Sequence, residues 1–406
     1  MRYVRKAMAA ALCAACVAAP GAWAQASKVS DGVVKVGVMT DLSGVYSDLA
    51  GPGSVIAAKM AVEDFGGKVL GMPIEVVAGD SQNKPDIASA MARRWIDQEK
   101  VDMIVDIPGS AAALAVAKVA KEKDRIAIVS SGVTTRLTNE ECTDRTIHWS
   151  IDTYALSNGT ARTLTEQGFK TWFFITPDYA FGHQMEKDAT EAIVAAGGKV
   201  LGSVRHPFPG SDFSSYLLQA QASGAQVIGL NNAGSDLVGT LKQAAEFGIA
   251  PKQRLAAIIL LLTDIHSMGL KATQGMVYTE AFYWDLNDKT RAWSRRFFER
   301  HKRMPTVMQA GVYSSVAHYL KAIKAAGTDG AGTVIAKMKA TPVNDFFATN
   351  GKIREDGRMV HEMYLMQVKA PEESKQPWDY VKLLKVIPAE NAAIPLAKSI
   401  CPLVKK

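Results

Sequence analysis

Two short polar loops hold the residues best suited to chemistry. Pro108-Gly109-Ser110 follows one apolar run and opens a helical pattern, and Ser130-Ser131-Gly132-Val133-Thr134-Thr135 follows the next run. A hydroxyl beside the unpaired N–H groups of a helix start forms a cradle for a carboxylate. Each serine taken alone serves equally well as a helix cap; two such loops at adjacent strand ends favour a ligand. Further along, Asn231-Asn232-Ala233-Gly234 closes another apolar run. Tyr154, Phe181 and Phe282-Tyr283-Trp284 add rings that could stack on a flat ligand. Phe282 and Trp284 fit core or hinge packing equally well, and Glu280 fits the packing of a hinge.

Catalytic groupings are scarce. The chain has no Walker loop, no G-x-G-x-x-G after a strand, no G-x-S-x-G elbow and no H-E-x-x-H. His148, His183, His206, His266, His301, His318 and His361 lack metal-ligand spacing, and no C-x-x-C follows the leader. Neither a metal nor a cofactor is expected, and the chain does not read as an enzyme. A hydrolase using Ser110 or Ser131 would need a His–Asp arrangement that the sequence does not place nearby. The 47 Lys and Arg against 40 Asp and Glu are thinly spread, with no run that suggests nucleic acid. Arg295-Arg296 and Arg300-His301-Lys302-Arg303 read as the solvated face of one helix.

The elements that must position these loops alternate. Apolar strands are expected at 33–39, 73–78, 103–107 and 126–129. Between them lie a helix carrying Ala57, Met60, Ala61 and Phe65, then helices at 86–98 and 111–120. The rhythm restarts with strands at 171–175, 199–204, 227–230, 255–262 and 275–279 and helices at 184–196, 213–222 and 237–247. A mainly helical stretch at 290–326 and strands at 361–368 and 378–386 complete the chain. Such alternation builds βαβ units on parallel sheets. The expected fold is α/β: two doubly wound parallel-sheet lobes joined by a multi-strand hinge. The first lobe takes residues 29–150 and 283–342, the second 151–282 and 343–406. Ligands in such sheets bind outside the carboxyl ends of the strands.

Residues 1–24 read as a secretory leader: basic Arg2, Arg5 and Lys6, an uncharged run over 7–17, and Ala22-Trp23-Ala24 before a cleavage point. The run is short for a bilayer span; a membrane anchor, or a lipoprotein through Cys16, are the other readings. Cleavage near Gln25 removes three cations, so the formal net charge of +7 becomes +4. It also leaves Cys142 and Cys401, which in an oxidising compartment form a disulfide or stay as two buried thiols.

Five blocks then carry a resemblance. They are Val36-Gly37-Val38-Met39-Thr40-Asp41-Leu42-Ser43-Gly44, Ala57-Ala58-Lys59-Met60-Ala61-Val62-Glu63-Asp64, Asp80-Ser81-Gln82-Asn83-Lys84-Pro85, Asp178-Tyr179-Ala180-Phe181-Gly182 and Asp212-Phe213-Ser214. In order and spacing they resemble the type I periplasmic solute-binding proteins of the branched-chain amino-acid transporter group, across essentially the whole chain after the leader. The resemblance implies a periplasmic, monomeric, hinged receptor that hands a small ligand to an inner-membrane ABC permease. It implies that the loops at Gly109-Ser110 and Ser131-Gly132-Val133-Thr134 hold the ligand carboxylate, with Tyr46 as an aromatic contact from the first lobe. Phe181 and Asn232 are the candidates on the second lobe.

The amino-acid binders of that group place acids on the second lobe to meet an ammonium. Here Tyr154 stands near one such position, beside Asp152, and the run Ile258-Ile259-Leu260-Leu261-Leu262 at the other offers Leu261. An unpaired buried ammonium is costly. The expected ligand therefore has a carboxylate, no α-amino group and an aromatic body. Phe282-Tyr283-Trp284-Asp285 also resembles binders of lignin-derived aromatic acids. An amino-acid binder and a periplasmic small-molecule sensor are the alternatives.

Overall fold

The computed structural model describes residues 29–250 and 252–405; the expected leader lies outside them. The first series runs β1 (Val34–Thr40), α1 (Gly51–Phe65), β2 (Lys68–Val69), β3 (Met72–Asp80), α2 (Pro85–Asp97), β4 (Met103–Asp106), α3 (Ser110–Glu122), β5 (Ile126–Val129) and β6 (Thr146–His148). They form a six-stranded sheet, β2-β3-β1-β4-β5-β6, parallel except between β2 and β3. Helices cover both faces, so β4 and β5 are buried on both sides; β5 reads as an unbroken apolar run, and β4 as one that closes on the buried Asp106.

The second series runs α4 (Thr153–Glu166), β7 (Thr171–Pro177), α5 (Ala180–Ala195), β8 (Lys199–His206), α6 (Ser214–Ala222), β9 (Val227–Leu230), α7 (Gly234–Glu246), β10 (Arg254–Ala257), α8 (Leu262–Met268), α9 (Leu270–Thr273) and β11 (Val277–Glu280). Its sheet, β10-β9-β7-β8, is wholly parallel. The chain then returns to the first lobe, where α10 (Asp288–His301) and α11 (Val307–Ala326) pack on α1, and α12 (Ala331–Ala340) packs on α11. A small hairpin, β12 (Lys352–Ile353) and β13 (Met359–Val360), precedes β14 (Met363–Val368) and β15 (Val381–Ile387). These last two extend β11 into an antiparallel sheet, β11-β14-β15. The two-lobed doubly wound architecture expected from the strand–helix rhythm is the observed one.

One local expectation changes and two gain detail. The apolar run 255–262 is not one strand: pairing stops at Ala257, because the Asp264 carboxylate accepts the Leu261 N–H at 2.9 Å and starts α8. The stretch 290–326 is two helices, broken where Lys302 turns to φ 62° and restarted by Thr306, whose hydroxyl accepts the Gln309 N–H. The cationic run on α10 and just after it is solvated, as expected, and its arginines also pair with carboxylates of the α1 region. Arg296, Arg300 and Arg303 pair with Asp64, Glu63 and Asp48 at 2.6, 2.7 and 2.8 Å. The chain division drawn from the sequence leaves 343–406 with the second lobe. The end of that tail is nevertheless fastened to the first: Cys401 bonds Cys142, 259 residues away, and the Ile400 N–H donates to Asn139 Oδ1 at 2.8 Å.

Candidate functional site

In each sheet the chain turns first to one side of the opening strand and then to the other, leaving a crevice at that reversal. In the first lobe it lies between β1 and β4, in the second between β7 and β9. The loops leaving these strands face one another and border a small cavity between the lobes.

Of the residues singled out from sequence, Tyr46, Gly109, Ser110, Ser131 and Phe181 line this cavity together. Leu49, Val133, Tyr179, Ala233, Ile259 and Met308 complete the wall. Gly132, Thr134, Tyr154, Asn232 and Leu261 do not reach it. Gly132 packs against Ala113 and the Ile107 carbonyl. Thr134 caps the turn Thr135–Thr138, its hydroxyl accepting the Arg136 N–H. Tyr154, in the first turn of α4, lies in an outer groove with Asn158, Arg162 and Glu390. Asn232 donates to Thr240 Oγ1 at 2.7 Å inside the second lobe. Leu261 is buried at the start of α8, and Ile259 reaches the cavity instead. The Phe282-Tyr283-Trp284 cluster also lies elsewhere. Tyr283 and Trp284 donate to the Trp378 carbonyl at 2.9 and 2.8 Å, while Phe282 packs edge-on to Trp293.

The first-lobe wall is polar. Ser110 opens α3, so the N–H groups of that helix start have no intrahelical acceptor. Its hydroxyl is buried and has no partner among the described residues. The Ser131 hydroxyl donates to Asp106 Oδ1. Burial pushes the Asp106 carboxyl up to about 6, with Ser131, Thr40 and Ser54 lowering it and Asp41 raising it. The second-lobe wall is aromatic. Tyr179 stacks on Phe208 with centroids 4.2 Å apart and lies 5.8 Å from Phe181. The Tyr46 and Tyr179 hydroxyls meet across the cleft, and burial holds both phenols protonated, well above their ordinary value. Gly234 sits directly against the Val45 carbonyl, where a Cβ would come within 2.5 Å. The two lobes are thus in contact around the cavity. No residue on its wall carries a formal charge.

Gly109 is the tightest point of the polar wall. It has φ +82°, and an added Cβ would fall 1.6 Å from Asn83 Oδ1. Gly109→Ala is expected to destabilise the protein by about 1–3 kcal/mol through backbone strain and to displace the first turn of α3. Urea unfolding checks this, and a wild-type midpoint would show that the loop yields freely.

Sequence reasoning missed Tyr179 although it lies two residues before Phe181 in a quoted block. A side chain that begins the turn after β7 and one that enters α5 both face the cleft, which the helical pattern alone does not show. Met308 comes from α11, far along the chain, and no local signal marks it.

Two α/β lobes that close a hydroxyl wall and an aromatic wall over a small cavity define a hinged ligand-binding protein. Comparison with known proteins agrees. The profile of the periplasmic binding proteins matches residues 33–376, and the chain belongs to that family. A periplasmic binding protein from Burkholderia mallei superposes with a TM-score of 0.91 at 49% identity, over 92% of this chain and 100% of that one. A branched-chain amino-acid ABC transporter periplasmic ligand-binding protein from Burkholderia xenovorans LB400 follows at 40% identity and a TM-score of 0.82, over 92% and 100%. A solute-binding protein from R. palustris, solved with benzoate, shares the fold at 22% identity and a TM-score of 0.79, over 88% of this chain and 97% of that one. Leu/Ile/Val-binding protein homolog 6 of Brucella melitensis is 27% identical over 219 residues, 53% of this chain and 55% of that protein. The match thus spans about half the length of that curated relative. Family membership implies a periplasmic location, and the relatives are binding proteins, not enzymes.

Proposed function

We propose that the protein is the substrate-binding component of an ABC uptake transporter and captures a small aromatic carboxylate between its lobes, delivering it as a monomer to an inner-membrane permease after secretion through a cleaved leader. The observation that carries the ligand class is the uncharged, two-faced cavity. Ser110 and the start of α3 offer an anion donors and a helix dipole. Tyr179 and Phe181 offer ring surface. An amino acid placed there would bury its ammonium with no carboxylate on the wall. The five residues named above that line the cavity remain the proposed contacts, joined by Tyr179.

A panel of benzoate, 4-hydroxybenzoate, a cinnamate, leucine and valine tests this in a thermal-shift assay. A ligand at a hundredfold excess over its Kd adds about 2.7 kcal/mol to native stability, so an aromatic acid is expected to raise Tm by a few degrees and the amino acids to leave it unchanged. The names of the Brucella and Burkholderia xenovorans relatives make leucine the competing ligand. A shift with leucine and none with the aromatic acids would overturn the aromatic reading and leave the binding role intact.

A further inference from the structure

Asp106 stands behind the polar wall, and both its carbonyl and its carboxylate hold Ser131. Its carbonyl accepts the Ser130 and Ser131 N–H groups, both at 3.1 Å, and its carboxylate takes the Ser131 hydroxyl proton. The backbone is strained to do this: Asp106 has φ +83° and Ile107 φ +56°, in the left-handed region that ordinary residues avoid. Its second carboxylate oxygen makes no hydrogen bond of ordinary geometry among the described residues, although the Thr40 and Ser54 hydroxyls lie near enough to lower the carboxyl. With the Ser131 proton committed to Asp106, Ser131 shows only lone pairs to the cavity, and these repel an anion. A carboxylate guest and an ionised Asp106 cannot flank one hydroxyl without an added proton.

Resting on the aromatic-carboxylate reading, we infer that Asp106 is a positioning residue that takes up one proton when a carboxylate ligand binds, reversing its bond to Ser131 so that the Ser131 hydroxyl donates to the ligand. The proton comes from solvent and resides on an Asp106 carboxyl oxygen, which then donates to Ser131 Oγ. Among the described residues nothing nearby supplies a countercharge instead. β1 presents Thr40 and the Asp41 carboxylate, the latter bonded to the Gly44 and Tyr46 N–H groups. α1 presents Ser54, with Lys59 and Glu63 exposed further along. α3 presents Ser110, its Lys118, Lys121 and Glu122 being exposed. Of the titratable groups on α11, His318 bonds the Met338 carbonyl, and Tyr319 is raised by burial first and by Asp102, just before β4, second. In the free protein the Asp106 carboxyl is already up at about 6. A second negative charge beside it raises it further, as in any pair of carboxylates sharing a site. Binding must then tighten as pH falls from 8 towards 6, by up to tenfold per unit, and weaken as pH rises.

Calorimetry with benzoate in buffers of different ionisation enthalpy, between pH 5.5 and 8, reads the proton directly. If the panel selects leucine, leucine serves as the probe. The expected result is uptake approaching one proton per ligand at pH 7. In Asp106→Asn the side-chain amide donates to Ser131 permanently, and Asn tolerates the positive φ; uptake should vanish and affinity become flat with pH. Uptake that persists in Asp106→Asn, or a wild-type affinity that is flat with no proton taken up, overturns the inference while leaving carboxylate capture standing. Failure of every carboxylic acid to bind defeats the functional reading, and this inference with it. If Asp106→Asn does not fold, infrared difference spectra of the wild type with ¹³C-labelled ligand decide the matter. A new unlabelled carboxylic-acid C=O band on binding supports the inference, and its absence refutes it.

Discussion

Arg358→Met is expected to lower the unfolding free energy by about 3–5 kcal/mol, the range for breaking a buried ion pair by removing one partner. Arg358 is 2% exposed and lies between the lobes' connecting segments. Its Nε donates to Asp152 Oδ2 at 2.7 Å. Its terminal nitrogens reach the carbonyls of His148, Trp149 and Met359 at 3.0, 2.9 and 2.9 Å and that of Ser150 at 3.2 Å. Residues 148–152 are the first passage of the chain from one lobe to the other, and Asp152 caps α4 by accepting the Ala155 N–H at 2.7 Å. The guanidinium therefore ties the return strand to the outgoing one. Removing it strands one buried carboxylate and the carbonyls of His148, Trp149 and Met359, whereas the Ser150 carbonyl keeps the His361 ring at 2.7 Å. Arg358→Met combined with Asp152→Asn should recover part of the loss, because the orphaned charge is gone while the cap remains. Urea unfolding of both variants measures it. A loss below about 1 kcal/mol for the single variant would mean that water reaches the segment and the pair is not load-sharing.

Reduction of Cys142–Cys401 is expected to cost about 2–5 kcal/mol, and Cys401→Ser the same. The bridge closes a loop of 259 residues in sequence, at the long end of the range where the unfolded chain is most constrained. Both sulfurs are largely buried, so the bridge also holds the tail on the 135–142 segment. Without it the end of the tail keeps the bond from Ile400 to Asn139 and, further back, that from Arg354 to the Ile394 carbonyl, and frays more easily. Thermal melts with and without reductant should show a lower Tm for the reduced protein. The Cys401→Ser variant should start low and ignore reductant. Equal melting temperatures for the oxidised and reduced forms would show that the tail detaches without weakening either lobe.

The inner strands of both sheets were legible because a strand buried on two faces is mainly apolar, and β5 and β9 are short runs of that kind. The half of the cavity made by Gly109, Ser110 and Ser131 was legible for the same reason: small polar residues directly after such runs sit at strand ends. Elements set by pairing with distant chain were not. β6 and β13 are two or three residues long, too short for any period, and exist because their partners are already in place. The run 255–262 misled because an apolar loop buried between lobes has the composition of a strand.

By itself the sequence determined the main alternation of strands and helices, the doubled α/β plan and the residue types at the strand ends, since periodicity and burial act locally along the chain. Only the tertiary structure decided which of those residues share a wall. It turned Thr134 and Asn232 inward to satisfy their own neighbours, brought Met308 from a helix about 180 residues beyond Ser131, and set Asp106 beneath Ser131. Those relations depend on how two sheets, each twisted and packed independently, come to face one another across the hinge, and no window of sequence contains both sides.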